Sequence, residues 1–306
     1  MSTRKKFSIG FGIVIFMIAA AILFYPRSNS ASHNGTLQVV AGENFWGSLA
    51  AQIGGTHAEV TSIVSDPNAD PHEYENSNAN ARDFATADYV ILNGAGYDSW
   101  GNKLLSANVR PNREVLIVAD ALGKKDGDNP HFWYSPTYVN TVASKIAAQY
   151  ASLDPKDTDY FTHRLAAVQS SLAGYQTRIA AIKQAYGGTQ VAATEDIFQY
   201  LADAAGLTLT SPQAFIQAVA EGNDPPTDSV AAFHEQLKSG SVRILVFNKQ
   251  TVTPLTENIK KLATDQHIPI IGVTETIQPP NTSFQDWMDG QVSALKNALD
   301  AQKTSQ

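Results

Sequence analysis

The chain of 306 residues carries 29 acidic and 22 basic side chains, has a net charge of −7, and contains no cysteine. The lack of a basic block beyond the N-terminus argues against a nucleic-acid partner, and the lack of cysteine excludes disulfides, thiolate nucleophiles and thiolate metal ligands. The length predicts about two domains, and any bound metal ion must be held by nitrogen and oxygen.

The N-terminal segment, residues 1–35, has the pattern of an export signal or a membrane anchor. Three basic residues, Arg4 to Lys6, precede an apolar stretch of 19 residues from Phe7 to Tyr25. Such a stretch spans roughly 28 Å as a helix, enough for a bilayer, whereas the apolar part of a cleaved signal is usually about 7–15 residues long. We favour a retained anchor over cleavage near Ser30, with the rest of the chain outside the cytoplasm.

The next part of the chain alternates short apolar runs with stretches of helical length. The runs are Leu37–Ala41, Val60–Val64, Tyr89–Leu92 and Val115–Val118. Strands of this length separated by helices indicate βαβ units, so we predict an α/β lobe with a parallel sheet over residues 36–154.

Two loops of this lobe carry a histidine directly after a proline: His72 follows Pro71, and His131 follows Pro130. Proline fixes its own φ and favours extended geometry in the residue before it, so each imidazole is presented by a stiff loop. Neutral imidazole is the commonest metal ligand, and the repeated context makes the pair candidate ligands of one ion. The histidines without this context are interpreted as ordinary surface residues: His33, His57, His163, His234 and His267.

A long helix is predicted over residues 155–187, between the two halves of the chain. Pro155 lies in its first turn, apolar residues then recur at spacings of three and four, and Gly187 follows the last turn. About thirty helical residues span roughly 45 Å. That length favours a connector running the height of both lobes over a surface helix of the first lobe.

The last part of the chain, residues 188–306, repeats the α/β pattern with apolar runs at Val191–Thr194, Ile244–Phe247 and Ile268–Val273. We therefore predict an α/β fold of two lobes, each with a parallel sheet flanked by helices, joined by one long rigid helix.

Four candidate metal ligands follow strand-like runs, two in each half of the chain: His72, His131, Glu195 and Glu275. They are expected to meet because ligands of parallel α/β sheets bind beyond the carboxyl ends of the strands. Two neutral imidazoles and two carboxylates balance the charge of a divalent cation. This donor set suits Mn²⁺ or Fe²⁺, although Zn²⁺ should bind at least as tightly.

The two carboxylates also have other interpretations. Glu195 precedes a helical run, where its charge would complement a helix dipole. Glu275 would alternatively be a solvated loop acid, with Asp286 and Asp289 as competitors for the fourth ligand position. Three acids are therefore candidates for the fourth ligand position.

Four motifs carry a resemblance that covers nearly all of the chain after residue 36. Asp70–Glu75 and Asn129–Trp133 contain the two histidines, and Thr194–Leu201 and Val273–Glu275 contain the two glutamates. With these motifs the sequence resembles the metal-specific substrate-binding proteins of bacterial zinc and manganese ABC importers, in which one long helix joins two α/β lobes. The resemblance implies that the four residues bind the metal.

The resemblance also implies the function: capture of one divalent ion (Mn²⁺, Zn²⁺ or Fe²⁺) outside the membrane and its delivery to an ABC permease, by a monomer that is not an enzyme. Zinc specialists of this family often carry a long histidine-rich loop before the second ligand, whereas Gly123–Asn129 is short and free of histidine. This departure, with Glu195 at the third ligand position, favours manganese. Since the chain has no cysteine to carry a lipid, the N-terminal helix is the expected tether.

An exported metal-dependent hydrolase is the alternative function. Such an enzyme needs an open coordination position and a general base beside it. The sequence contains no HExxH or similar catalytic spacing, and four protein ligands would leave little room for a substrate.

Overall fold

The computed structural model describes residues 35–66, 74 and 77–304. The predicted ligand His72 and the N-terminal segment 1–34 lie outside the described residues. Among the residues that are described, no helix is both long enough and apolar enough to cross a membrane.

The first sheet consists of four parallel strands: β1 (Leu37–Glu43), β2 (Ala58–Val64), β3 (Tyr89–Leu92) and β4 (Glu114–Ile117). Their order is β2-β1-β3-β4, and Val39 of β1 is paired with Val60 on one side and Tyr89 on the other. The helices among and after these strands are α1 (Asn44–Gly54), α2 (Asn78–Thr86), α3 (Ser99–Ala107), α4 (Val118–Ala121) and α5 (Pro136–Leu153).

The connecting helix, α6, runs from Thr158 to Tyr186 over 29 residues. It starts later than predicted, because Pro155–Asp157 form a separate 3-10 turn before it. Its C-terminal end also differs in detail: Gly187 has a φ of −51°, and the left-handed residue is Gly188, with a φ of 81°. The apolar stripe of α6 is buried as its spacing predicts: Phe161, Val168, Leu172, Tyr175, Ile179 and Ile182.

The second sheet repeats the topology of the first, with β5 (Gln190–Ala193), β6 (Thr208–Leu209), β7 (Leu245–Asn248) and β8 (Ile270–Val273) in the order β6-β5-β7-β8. All three pairings are parallel. The helices of this part are α7 (Gln199–Ala204), α8 (Gln213–Ala220), α9 (Thr227–Lys238), α10 (Pro254–Asp265) and α11 (Phe284–Thr304). The predicted fold class is confirmed, while the two-residue strand β6 was not predicted.

One contiguous apolar cluster joins the two sheets. It contains residues of β1, β3, β5 and β7 together with the buried stripe of α6 and the inner face of α11. The outer faces of the two sheets carry smaller separate clusters. The lobe boundaries at 36–154 and 188–306 stay a prediction.

The order of the strands in each sheet determines where the polar loops lie. Each sheet reverses its order at its central pair, β1 with β3 and β5 with β7. The loops that leave the carboxyl ends of such a pair run in opposite directions and open a crevice, where ligands of parallel α/β folds bind. Glu43 and Asn93 occupy these positions in the first sheet, and Glu195 and Asn248 in the second.

Candidate metal centre

The imidazole of His131 is completely buried and held in one orientation by two oxygen atoms. Its Nδ1 lies 2.8 Å from Oδ1 of Asn129 and 3.3 Å from Oδ1 of Asp196. Both neighbouring atoms are acceptors, so these contacts favour the tautomer that has its hydrogen on Nδ1 and its lone pair on Nε2. A histidine whose second nitrogen donates to an acceptor in this way is typical of metal sites.

Both halves of the chain position the loop that carries His131. Asn93 donates from Nδ2 to the carbonyl oxygen of Pro130 at 2.9 Å, and Trp46 donates to Oδ1 of Asn93 at 3.0 Å. From the other side, Asn129 donates to the carbonyl oxygen of Asp196 at 2.7 Å. Position 131 is therefore fixed relative to both sheets.

Glu275 is also completely buried, and both of its carboxylate oxygens accept hydrogen bonds. The Tyr97 hydroxyl donates to Oε2 at 2.7 Å, and Asn248 donates from Nδ2 to Oε1 at 2.8 Å. The Glu275 backbone N–H donates to Oε1 of Gln250 at 2.7 Å. Hydrogen bonds to a carboxylate stabilise its ionised form and offset part of the cost of its burial.

His131 and Glu275 face one another across the crevice, with Nε2 of His131 3.9 Å from Oε2 of Glu275. Two ligand atoms that are each about 2.1 Å from one ion lie about 3.0 Å apart at a right angle and at most about 4.2 Å apart. The observed separation falls within this range. These two residues can therefore coordinate one metal ion without rearrangement of the loops.

Glu195 follows β5 in extended conformation, with a φ of −155° and a ψ of 178°, and is 1% exposed. It makes no capping hydrogen bond to the 3-10 turn that it precedes, so the described backbone offers no support for a capping role. The next residue, Asp196, contacts His131. Burial, the largest cause, together with the nearby charges of Glu275 and Glu195 raises the pKa of the Tyr134 hydroxyl.

The two competitors for the fourth ligand position are engaged elsewhere. Asp289 accepts hydrogen bonds from Arg178 at 2.9 and 3.2 Å, and Arg178 lies on α6. Asp286 is exposed and accepts from the Ser283 hydroxyl at 2.6 Å. Of the three acids, Glu275 is the one found against His131.

Sequence reasoning did not identify the residues that hold the candidate ligands, among them Asn93, Tyr97, Asp196, Asn248 and Gln250. Asn93 and Asn248 stand at strand ends, the position used above to select ligands, and could have been selected by the same rule. The other three act across long sequence separations and have no local signature.

A pair of buried acids lies beside the candidate ligands. Asp98 accepts from the backbone N–H groups of Asn93 and Gly94 at 2.5 and 2.8 Å, while burial raises its pKa to about 6. Burial, then the adjacent Asp98, raises the pKa of Glu43 well above its usual value. Burial and the neighbouring carboxylate of Asp98 therefore both disfavour the ionised form of Glu43.

A cavity of about 440 Å³ opens beside His131. The loops of both halves of the chain line it, with His131 and Asn129 on one side and Asp196 and Gln213 on the other. Solvent-borne ions can therefore approach the face of the loop that carries His131.

Comparison with known proteins gives a consistent set of matches. A family model described as "ZnuA: Zinc-uptake complex component A periplasmic" matches residues 39–298. The metal ABC transporter substrate-binding lipoprotein FimA of Streptococcus parasanguinis is 26% identical over 270 residues, covering 81% of this chain and 83% of FimA. The manganese ABC transporter substrate-binding lipoprotein PsaA of Streptococcus pneumoniae is 25% identical over 287 residues, covering 87% of this chain and 88% of PsaA.

Among solved structures, the substrate-binding protein FpvC from Pseudomonas aeruginosa in complex with Mn²⁺ has a TM-score of 0.73 at 20% identity. The superposition covers 87% of this chain and 99% of FpvC. This structural similarity concerns the fold alone.

The acid pair predicts a pH dependence of stability. Folding raises the pKa of Asp98 from 3.8 to about 6 and that of Glu43 above 4.5, so the folded chain binds more protons than the unfolded chain. This contribution is complete below the unfolded pKa values and is lost as the pH rises through the folded ones. Glutamine has no ionisable group, so Glu43→Gln removes one of the two titrations. Between about pH 4.5 and 7.5 the variant should therefore lose about 1–3 kcal/mol less of its free energy of unfolding than the wild type loses.

Urea unfolding of the metal-free protein at both pH values measures this difference. Glu114→Gln, which removes an exposed carboxylate, is the matched control and should follow the wild type. A Glu43→Gln variant whose stability changes with pH as much as that of the wild type would contradict the prediction.

Proposed function

The chain belongs to the family of zinc-uptake complex component A, and we propose that it captures one divalent first-row metal ion outside the cytoplasm and delivers it to an ABC permease. The proposed ligands are His72, His131, Glu195 and Glu275. Proteins of this family are substrate-binding proteins of ABC importers and not enzymes. The alternative of a metal-dependent hydrolase is therefore wrong.

The observation that carries the proposal is the distance of 3.9 Å between Nε2 of His131 and Oε2 of Glu275. The two residues come from opposite halves of the chain, and each is held by hydrogen bonds that leave its coordinating atom directed at the other. Two completely buried ionisable groups at this separation are expensive unless a partner compensates for their lost hydration. A divalent cation between them would supply that compensation.

The ligand set supports manganese as the preferred ion. Two imidazoles supply two nitrogens and two carboxylates supply two to four oxygens, so the set allows up to six bonds, whereas zinc sites are usually tetrahedral. The relative PsaA is named as a manganese protein, although the family model is named for zinc uptake. Fe²⁺ has similar ligand preferences, and Fe²⁺ and Zn²⁺ are the other candidates.

The ligand assignment predicts the effect of single substitutions on metal binding. His131→Ala and Glu275→Gln should each weaken Mn²⁺ binding by more than about 100-fold, because each removes a direct ligand and leaves its partner unpaired. Isothermal titration calorimetry measures the change, with the exposed His163→Ala on α6 as control. Tight Mn²⁺ binding by either variant would remove that residue from the site.

Tyr97 tests whether the support of Glu275 matters for metal affinity. Tyr97→Phe keeps the ring and removes the hydroxyl that donates to Glu275, so we expect binding of Mn²⁺ to weaken by about 10–100-fold, as for other residues that orient a metal ligand. Tyr186→Phe removes a hydroxyl that donates to a carboxylate elsewhere, that of Asp300, and should leave the affinity unchanged. Equal affinities of the two variants would contradict the role of Tyr97.

The choice of metal is tested by comparing affinity with occupancy. Purified protein should bind Zn²⁺ at least as tightly as Mn²⁺, as the Irving–Williams order requires. Protein isolated from its native host should nevertheless contain manganese, because the availability of each metal in the cell determines which ion occupies the site. Elemental analysis measures the bound metal. Zinc as the main metal in such a preparation would contradict the manganese assignment.

A further inference from the structure

A second cluster of metal-ligating side chains lies away from the crevice. His57, Asp154 and Asp157 each place one donor atom within 4.8 Å of the other two. His57 ends the 3-10 turn that precedes β2, so it lies at the amino end of that strand. The candidate ligands described above follow the carboxyl ends of strands, which form the opposite edge of a parallel sheet.

We propose that His57, Asp154 and Asp157 form a second site for a divalent transition-metal ion such as Zn²⁺, which attaches the beginning of the connecting helix to the first sheet.

The geometry of the cluster fits coordination. Nδ1 of His57 lies 3.0 Å from Oδ2 of Asp157, the separation of two ligands about 2.1 Å from one ion at a right angle. One neutral imidazole and two carboxylates balance the charge of a divalent ion. The side chains of His57 and Asp157 are 31% and 27% exposed, so water can complete the coordination shell.

Asp154 provides the observation that points to a ligand. It is 3% exposed, and its Oδ1 makes no hydrogen bond with any described residue. The ammonium group of Lys156 is 3.8 Å from that oxygen, and its side chain is 55% exposed, so this ion pair contributes little. A buried carboxylate oxygen without a hydrogen bond is costly, and coordination of a cation would remove the cost.

Helix capping does not explain the two aspartates. Asp154 immediately precedes the turn Pro155–Asp157, and Asp157 immediately precedes α6. Neither side chain makes a capping hydrogen bond with the described backbone. Both aspartates lie against His57 instead. Burial and the neighbouring Asp157 raise the pKa of Asp154, whereas Lys156 and His57 lower it.

The imidazole of His57 is positioned by α6 itself. Its ring centroid lies 4.2 Å from that of Tyr160 and 5.9 Å from that of Phe161. The Tyr160 hydroxyl accepts from the backbone N–H of Thr56 at 3.2 Å. The three donors are therefore held together before any ion binds, which lowers the entropic cost of binding. The sequence alone led us to interpret His57 as an ordinary surface histidine, and that interpretation did not anticipate its contacts with α6.

The first test counts the Zn²⁺ ions bound by the full chain, using equilibrium dialysis and calorimetry. Asp154→Asn should bind one equivalent fewer than the wild type, and His131→Ala should lose a different equivalent. Asp159→Asn removes an exposed acid from the first turn of α6 and should keep the wild-type count. An unchanged count in Asp154→Asn would overturn the proposal, whatever the crevice binds.

The second test uses the His131→Ala variant, in which the crevice is disabled. Excess Zn²⁺ should still raise its melting temperature, because an ion that binds only the folded state stabilises that state. Adding Asp154→Asn or His57→Gln should abolish the rise. Anomalous diffraction from Zn²⁺-soaked crystals should place an ion among the three side chains, and an ion located only elsewhere would refute the site.

Discussion

The arrangement of the candidate metal centre depends on one constraint: the two sheets share a hydrophobic core. The buried stripe of α6 belongs to the same apolar cluster as the central strands of both sheets. The crevice between the sheets is therefore walled by packed side chains that resist displacement. Polar groups on the loops that follow the carboxyl ends of the strands meet at fixed distances, as Nε2 of His131 after β4 and Oε2 of Glu275 after β8 do at 3.9 Å.

A crevice of this kind places acids where water cannot solvate them, and the structure compensates in two ways. Glu275 receives hydrogen bonds on both oxygens, from Tyr97 and Asn248. Burial and the neighbouring Asp98 instead raise the pKa of Glu43 well above its usual value, and Asp98 accepts hydrogen bonds from backbone N–H groups. Hydrogen bonds donated to Glu275 favour the ionised form that a cation can use, whereas the surroundings of Glu43 disfavour its ionised form. Acids of similar burial therefore have different roles.

The sequence predicts much of the fold and only part of the candidate site. Parallel strands have a strong local signal, since Tyr89–Leu92 is a continuous apolar run between polar turns, and the strand-end rule then selects His131 and Glu275. The strand Thr208–Leu209 has no such signal, because two residues show no periodicity. Contacts such as those of Tyr97 with Glu275, 178 residues later, are set by tertiary packing, and no local pattern predicts them.

The shared core also limits how a bound ion could leave. A wide hinge motion would separate α6 from one of the sheets and expose residues such as Leu172 and Tyr175, which are at most 2% exposed. Each such side chain would lose about 1.5–3 kcal/mol of burial energy. Movement of the polar segment Thr274–Thr276 exchanges hydrogen bonds, such as those that Gln250 accepts from the backbone of Glu275 and Thr276, and does not expose the stripe of α6. Under the proposed function, release by a local shift of this loop is therefore favoured over separation of the lobes.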